Sequence, residues 1–465
     1  MLLIRHAGIE GHAGLDVRCT NGVVTQIAAG LTANPGEKVI DAASGALLPG
    51  LHDHHMHLFA LTAARQSVHC GPPAVTNTEA LREVLLQQKG SGWIRGVGYH
   101  ESVAGMLQRS QLDAILPTRP VRIQHRSGKM WFVNSVAAEI LNLHQHLSLD
   151  GVECDSNNAP TGRLFRMDDW LRQQLVQEPL PDIESTSKLL ATFGVSGFTD
   201  ATHTNSSAAR YRQLIEDRQL LQRVRVMGDE SLTVTEHPQL ELGAVKIMLD
   251  EYALPEFDAL KLRIVTAHQQ MRCVAIHCVT VAELVLALTA CREAGPMQGD
   301  RIEHASLTPD DCLSLFRESG VTVVTQPNLI AERGDQYLVD IDSSQHDMLY
   351  RSAAFLRAGV PLGAGSDAPF GNADPWLSMS AAVNRLTAAG RLIGAEERLT
   401  PEQALRLFTS PADDPGGPAR TIQVGSAADF CLLDRPWKEA RVRLQRTDVA
   451  ATVRGGEVIY QRSPP

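Results

Sequence analysis

From residue 194 to residue 367 the chain repeats one pattern, a short apolar run followed by an amphipathic helical stretch. The apolar runs are GVSGFTDA (194–201), AVKIML (244–249), RCVAIHC (272–278), RIEHAS (301–306), VTVVTQP (321–327) and PLGAGSD (361–367). Their length and apolar content read as strands. SAARYRQLIEDR, VAELVLALTACREAG, TPDDCLSLFRESG and RSAAFLRAG read as helices between them, and several end in glycine, a helix stop signal. Thr308-Pro309-Asp310-Asp311 reads as an N-cap with proline at the first helical position. Alternation of this kind argues for an α/β fold with parallel strands, as a barrel or as an open doubly wound sheet.

The two ends have a different texture. Residues 1–48 hold LLIRHAGIE, LDVRCTNGVVTQIA and KVIDAASGALL, with Asn21-Gly22 as a hairpin signal. The C-terminal part holds ADFCLLD, RVRLQ and DVAATVRGGEVIYQ, with a hairpin at Gly455-Gly456. Neither end has enough strands for an independent sheet. Residues 1–48 and 412–465 are therefore expected to pair into one composite β domain, with 49–411 as a single domain inserted between them. Between about 62 and 185 the rhythm is irregular, with GWIRGVGYHES, PVRIQHRSGKMWFVNSVAAEIL and the Gly/Asn/Pro-rich DGVECDSNNAPTGRLFR. That part is expected to be an insertion after the first strand of the inner domain, forming a small subdomain or lid.

Composition narrows the function. A formal net charge of −10 argues against a nucleic-acid footprint. Hydrophobic residues at 43% and charged residues at 21% suit a soluble globular protein. No apolar run reaches the roughly 18 residues of a membrane span, and the N-terminus lacks the apolar centre of a signal peptide. The eight cysteines are scattered and outline no disulfide framework, so a cytoplasmic location is expected.

The chemistry collects at the C-terminal ends of the candidate strands. LLPGLHDHHMHL packs four histidines and an aspartate into His52–His57. Residues two apart in a strand point to one side, so His55 and His57 project together as two imidazoles for one metal ion, while His52 and His54 point the other way. Lys246, His277, His304 and Asp367 follow, each near a later strand end. In a parallel barrel all those ends open on one face. Each residue has an ordinary structural explanation by itself: an ion pair to Asp250 for Lys246, a hydrogen-bonded core position for His277 or His304, a turn cap for Asp367. The joint pattern points instead to one six-residue site.

With these residues in view, the chain resembles the amidohydrolase superfamily, specifically its amidohydrolase 3 (YtcJ-like) branch. PGLHDHHMHL resembles the first-strand signature of the superfamily, and GWIRGVGYHES, PVRIQHRSGKMWFVNS and APTGRLFR resemble the inserted region of the branch. GVSGFTDA, RIEHASLTPDD, TQPNLIAERGDQY and GAGSDAPFGNADPWLSMSAAVNR resemble its later strands and loops. The resemblance implies a TIM-like (β/α)8 barrel, a β-sandwich built from both chain ends, and one or two divalent metal ions, usually zinc. It implies that His55 and His57 bind the more buried ion, that Lys246 is carboxylated and bridges a binuclear metal centre, that His277 and His304 bind the second ion, and that Asp367 is both metal ligand and general base. The implied activity is hydrolysis of an amide-type C–N bond of a small N-acyl, N-formyl or cyclic amide substrate by a metal-activated hydroxide.

The chain departs from the branch at Ser127-Gly128-Lys129, in the residues after His277, and at His52 and His54. Lys129 or Arg126 is a candidate contact for an anionic substrate group, against a solvated surface role. A zinc-dependent deaminase of the same superfamily is the first alternative, but such enzymes usually lack the bridging lysine and carry a glutamate shortly after the third histidine. Glu283 lies six positions after His277, in the following helix. A non-catalytic interaction scaffold is the second alternative, and the six filled positions speak against it. A small-molecule substrate, no nucleic acid, no membrane and a homodimer complete the expectations.

Overall fold

Eight short parallel strands form the centre of the fold: β1 (Leu51–Met56), β2 (Val195–Asp200), β3 (Arg223–Gly228), β4 (Leu240–Met248), β5 (Val274–Cys278), β6 (Arg301–His304), β7 (Thr322–Thr325) and β8 (Leu362–Ala364). They lie side by side in sequence order from β1 to β8, with every ladder parallel. The computed structural model describes residues 1–72, 74–175 and 182–463. Positions 176–181 of the expected insertion, and 464–465 of the expected composite domain, lie outside the described residues.

The barrel alternative is the one the chain adopts. Strands β1, β2, β6, β7 and β8 are buried along their whole length. That is the signature of parallel strands covered on both faces. The connecting helices include Ala209–Glu216, Phe257–Gln269, Val281–Ala294 and Asp310–Ser319. Gly320 ends the last of these in the left-handed conformation that glycine adopts without steric cost. The N-terminus of that helix differs from expectation. Pro309 is the capping residue and Asp310 the first helical one, while the Thr308 hydroxyl donates to the Ala305 carbonyl at 2.9 Å.

β3 escaped the strand assignment made from sequence. Its RVRVMG alternates charge and apolar side chain, so it lacks the apolar run that marks its neighbours. Val224 and Val226 are buried, while Arg223 reaches Asp429 at 2.8 Å and Arg225 reaches Glu241 at 2.9 Å.

Two further sheets draw on the chain ends. One contains, in spatial order, Val23–Ala28, His12–Thr20, Leu2–Ile9 and Lys38–Asp41, so the N-terminal part, contrary to expectation, supplies four strands and forms a sheet of its own. The other contains Glu457–Gln461, Val449–Arg454, Phe430–Leu433 and Leu47–Pro49, so N-terminal Leu47–Pro49 is its edge strand. Leu2, Ile4 and Val17 share a buried core with Phe430, Leu432 and Val453. Asn21 and Gly22 both have positive φ, 52° and 82°, as the tight hairpin turn requires.

Residues Phe59–Asp182 form a compact unit of their own; Met1–Leu58 and Ile183–Pro465 form the other. The smaller unit has a six-stranded sheet in the order Val152–Cys154, Pro160–Phe165, Met130–Val133, Val121–His125, Ile94–Tyr99, Val68–His69. Leu81, Tyr99, Ile123 and Phe132 belong to one of its cores, and Val133, Leu141 and Leu164 to another. Among the described residues no helix is long and apolar enough to cross a membrane.

Candidate metal centre

β1 delivers the histidines and the segment after β8 delivers the aspartate. Asp53 ties the two together, because its Oδ1 accepts the backbone N–H groups of both His55 and Ser366 at 3.0 Å. The Asp367 N–H then donates to the His55 carbonyl at 2.7 Å, and the His57 N–H to the Ala368 carbonyl at 2.9 Å. Gly365 permits this approach, since a Cβ there would come within 2.4 Å of the His55 backbone nitrogen. First and last strands of the barrel thus meet at their C-terminal ends, with His55, His57 and Asp367 at the junction.

Donor atoms of these three residues all lie within 4.8 Å of one another. Asp367 Oδ1 is 3.4 Å from the Nε2 atoms of both His55 and His57. The other ring nitrogen of each histidine is occupied: His57 Nδ1 meets Thr202 Oγ1 at 3.0 Å, and His55 Nδ1 bonds to the carboxylate of Glu303. Both rings therefore present Nε2 toward the same carboxylate.

His304 and His277 adjoin this group. The His304 ring lies 4.8 Å from that of His55 and 4.6 Å from that of His277, centroid to centroid. Its Nδ1 is 2.7 Å from Gln326 Oε1. Lys246, inside β4, is buried and its Nζ has no hydrogen-bond partner among the described residues. An unpaired buried ammonium is costly. Burial, opposed by the charges of Glu303 and Asp367, moves the lysine pKa below its ordinary value and favours the neutral amine.

The same desolvation lowers the pKa of the His55, His277 and His304 imidazoles. Burial takes His55 down to about 3, against the opposing charge of Glu303. His277 is held well below the usual range by burial and then by His304, and His304 is lowered by burial as well. Asp367 is different. Burial alone would raise its carboxyl, but the hydrogen bond with His57 and the neighbouring imidazoles outweigh it and hold the group below the usual carboxylate range. Neutral imidazoles around a carboxylate are the donor set a divalent cation of the zinc type takes. His304 and Asp367 also have positive φ, 71° and 53°, which a side-chain-bearing residue adopts at a cost of about 1–3 kcal/mol. Strain at two of six expected positions fits their selection for the site.

Other residues singled out from the sequence have structural partners. His52 Nε2 meets Thr199 Oγ1 and His54 Nε2 meets Ser410 Oγ, each at 3.0 Å. Glu283 forms a capping box, accepting the N–H groups of Val279 and Thr280 at 2.7 and 2.9 Å. Lys129 has an exposed side chain in the smaller unit. Sequence reasoning missed Glu303. Its signal is an oppositely charged pair two residues apart, Arg301 and Glu303, inside a fully buried strand.

Comparison with known proteins places the geometry in context. The model of the family described as "Amidohydrolase family" matches residues 38–460. An N-substituted formamide deformylase of Arthrobacter pascens is 25% identical, over 93% of this chain and 91% of that protein. The amidohydrolase YtcJ of Bacillus subtilis is 21% identical, over 92% of each. Among solved structures, an uncharacterized metal-dependent hydrolase from Pyrococcus horikoshii superposes with a TM-score of 0.73 at 21% identity, covering 94% of this chain and 96% of that one.

Proposed function

The chain belongs to the amidohydrolase family, the metal-dependent hydrolases of C–N bonds, and on that premise we propose that it cleaves a small N-formyl, N-acyl or cyclic amide. The observation that carries this reading is the convergence of His55, His57 and Asp367 donor atoms within 4.8 Å at one end of the barrel. Relatedness to a formamide deformylase puts N-substituted formamides first among candidate substrates.

In this proposal His55, His57 and Asp367 would hold one divalent ion, with zinc the expected metal, His277 and His304 would hold a second, and both would share Lys246. Its neutral amine adds to carbon dioxide, forming an N–C bond and releasing one proton, and the resulting carbamate offers two oxygens. A bound cation of this kind supplies Lewis-acid polarisation of a carbonyl and acidification of water. Asp367 receives the proton of the attacking water on its carboxylate and passes it to the departing nitrogen. Its ionised state at neutral pH suits the first of these tasks, and the bond from its backbone N–H to the His55 carbonyl fixes its place.

The finer organisation belongs to the same reading. We assign 1–48 and 412–465 to a composite β domain and 49–411 to the catalytic domain, with a cytoplasmic location, a homodimer and no nucleic-acid partner. The test is metal analysis of the purified protein coupled to a formate-release screen over N-substituted formamides. Bound divalent metal and metal-dependent release are expected. A metal-replete protein that instead releases ammonia from aminated heterocycles and leaves every amide intact would overturn the reading in favour of the deaminase.

A further inference from the structure

Glu303 has no role in the proposed reaction, yet it is fully buried against the first expected ligand. It lies on β6 beside His304, with its side chain and that of Arg301 on the same face of the strand. One carboxylate oxygen bonds to His55 Nδ1. The other accepts the Nε–H of Arg301 at 2.6 Å. Arg301 is itself buried, and its Nη2 donates to the backbone carbonyl of His54 at 3.0 Å. A closed chain results: β1 backbone, Arg301, Glu303, His55 ring, β1 backbone. Residues 248 positions apart in sequence are joined by its shortest link.

The chemistry of that chain is directional. An ionised carboxylate only accepts, so the shared proton sits on His55 Nδ1 and the lone pair on Nε2. Nε2 is the nitrogen that lies 3.4 Å from Asp367. Arg301 meanwhile balances the charge of the carboxylate and holds its second oxygen. Its hold on the His54 carbonyl fixes the distance between the carboxylate and the strand that carries the imidazole. Carboxylates that bond the outer nitrogen of a ligating histidine set its tautomer and raise its basicity.

We propose that Glu303, clamped by Arg301, is a positioning residue that fixes the tautomer and orientation of His55 and thereby sets the affinity of the centre for its divalent cation. The proposal rests on the reading of His55 as a ligand. It adds an anionic partner outside the six expected positions and specifies Nε2 as the nitrogen offered to the cation.

The experiment measures cation affinity directly. Full-length protein is stripped with a chelator, and zinc or cobalt is titrated against a chromophoric competitor for wild type, Glu303→Gln, Glu303→Ala and His55→Ala. Thermal melting of the stripped proteins controls for folding. Glu303→Ala should lose about 10–100-fold in affinity. Glu303→Gln, which retains an acceptor oxygen without the charge, should lose less and shift the visible spectrum of bound cobalt. The downfield imidazole N–H signal of 15N-histidine-labelled protein, absent from His55→Ala, should move upfield in Glu303→Gln. Where Glu303→Ala does not fold, the glutamine variant decides through that signal and the cobalt spectrum.

Wild-type affinity, spectrum and N–H signal in a folded Glu303→Gln would overturn the proposal while leaving the ligand assignment intact. Loss of metal in Glu303→Gln as complete as in His55→Ala would make Glu303 a ligand and overturn it too. Unchanged affinity in His55→Ala would mean that the ligand assignment itself had failed.

Discussion

The two faces of β1 carry the same side chain in different surroundings. His55 and His57 turn toward Asp367, and the outer nitrogen of each is occupied. His52 and His54 turn the other way and bond the neutral hydroxyls of Thr199 and Ser410. His57, just past the strand, is partly exposed, but His52, His54 and His55 are all buried, so exclusion from water does not by itself distinguish the faces. Charge does. Anionic carboxylates, Glu303 and Asp367, stand on one face, whereas on the other the hydroxyls of Thr199 and Ser410 each bond one ring nitrogen. A histidine-rich strand thus becomes a candidate metal site through what its partners across the barrel supply.

The comparison can be broken most severely from the face that turns toward Asp367. Asp367→Ala should lower turnover by about 10²–10⁴-fold, the range for a removed general base, while circular dichroism shows the fold retained. His55→Ala should likewise abolish turnover and lose its metal; a fully active variant at either position would erase the distinction between faces. Lys246→Ala is expected to be nearly inactive, with partial recovery in millimolar short carboxylic acids if a carbamate normally bridges the ions. Recovery would be read as restored rate against acid concentration.

On the other face the same substitution should have a different character. His54→Ala leaves the Ser410 hydroxyl without its partner and opens space, so denaturation should report a loss of about 1–3 kcal/mol, with metal content unchanged. If His54→Ala instead loses metal while remaining as stable as wild type, the two faces are not separate.

A smaller effect concerns pH. Burial lowers the folded-state pKa of His52 and His54, and that of His55 to about 3. The unfolded chain titrates near 6.5 and so binds more protons between those values. The stability of metal-free protein should be full above about pH 6.5 and decline as pH falls toward 3, by at most ~1.4 kcal/mol per pH unit for each such histidine. Melting temperatures of stripped protein across that window test the sign. Bound metal should flatten the curve, because a coordinated His55 takes up no proton.

Much of this arrangement was legible in the sequence, for reasons that differ by element. Strand–helix alternation, and the placement of the six candidate residues on or just after strands, depend on local periodicity, which a buried parallel strand writes as an apolar run. β3 was illegible because Arg223 and Arg225 interrupt that run to reach Asp429 and Glu241. Glu303 was illegible because its meaning lies in a contact with His55 that only the closed barrel creates. Likewise, Thr308 looked like a helix cap by type and spacing, but its hydroxyl is spent on Ala305.

The junction between β1 and β8 has a consequence for dynamics. No parallel ladder is recorded there among the described residues; instead the His57 and Asp367 amides bond across it, to Ala368 and His55. A cation held by His55, His57 and Asp367 would bind only the closed form, and its binding energy would be added to the cost of opening that junction. Amide hydrogens of His57 and Asp367 should then exchange with solvent more slowly in loaded protein than in stripped protein, while those of β4 to β6, within continuous ladders, change little. Occupancy of the centre would be readable as the opening rate of one edge of the barrel.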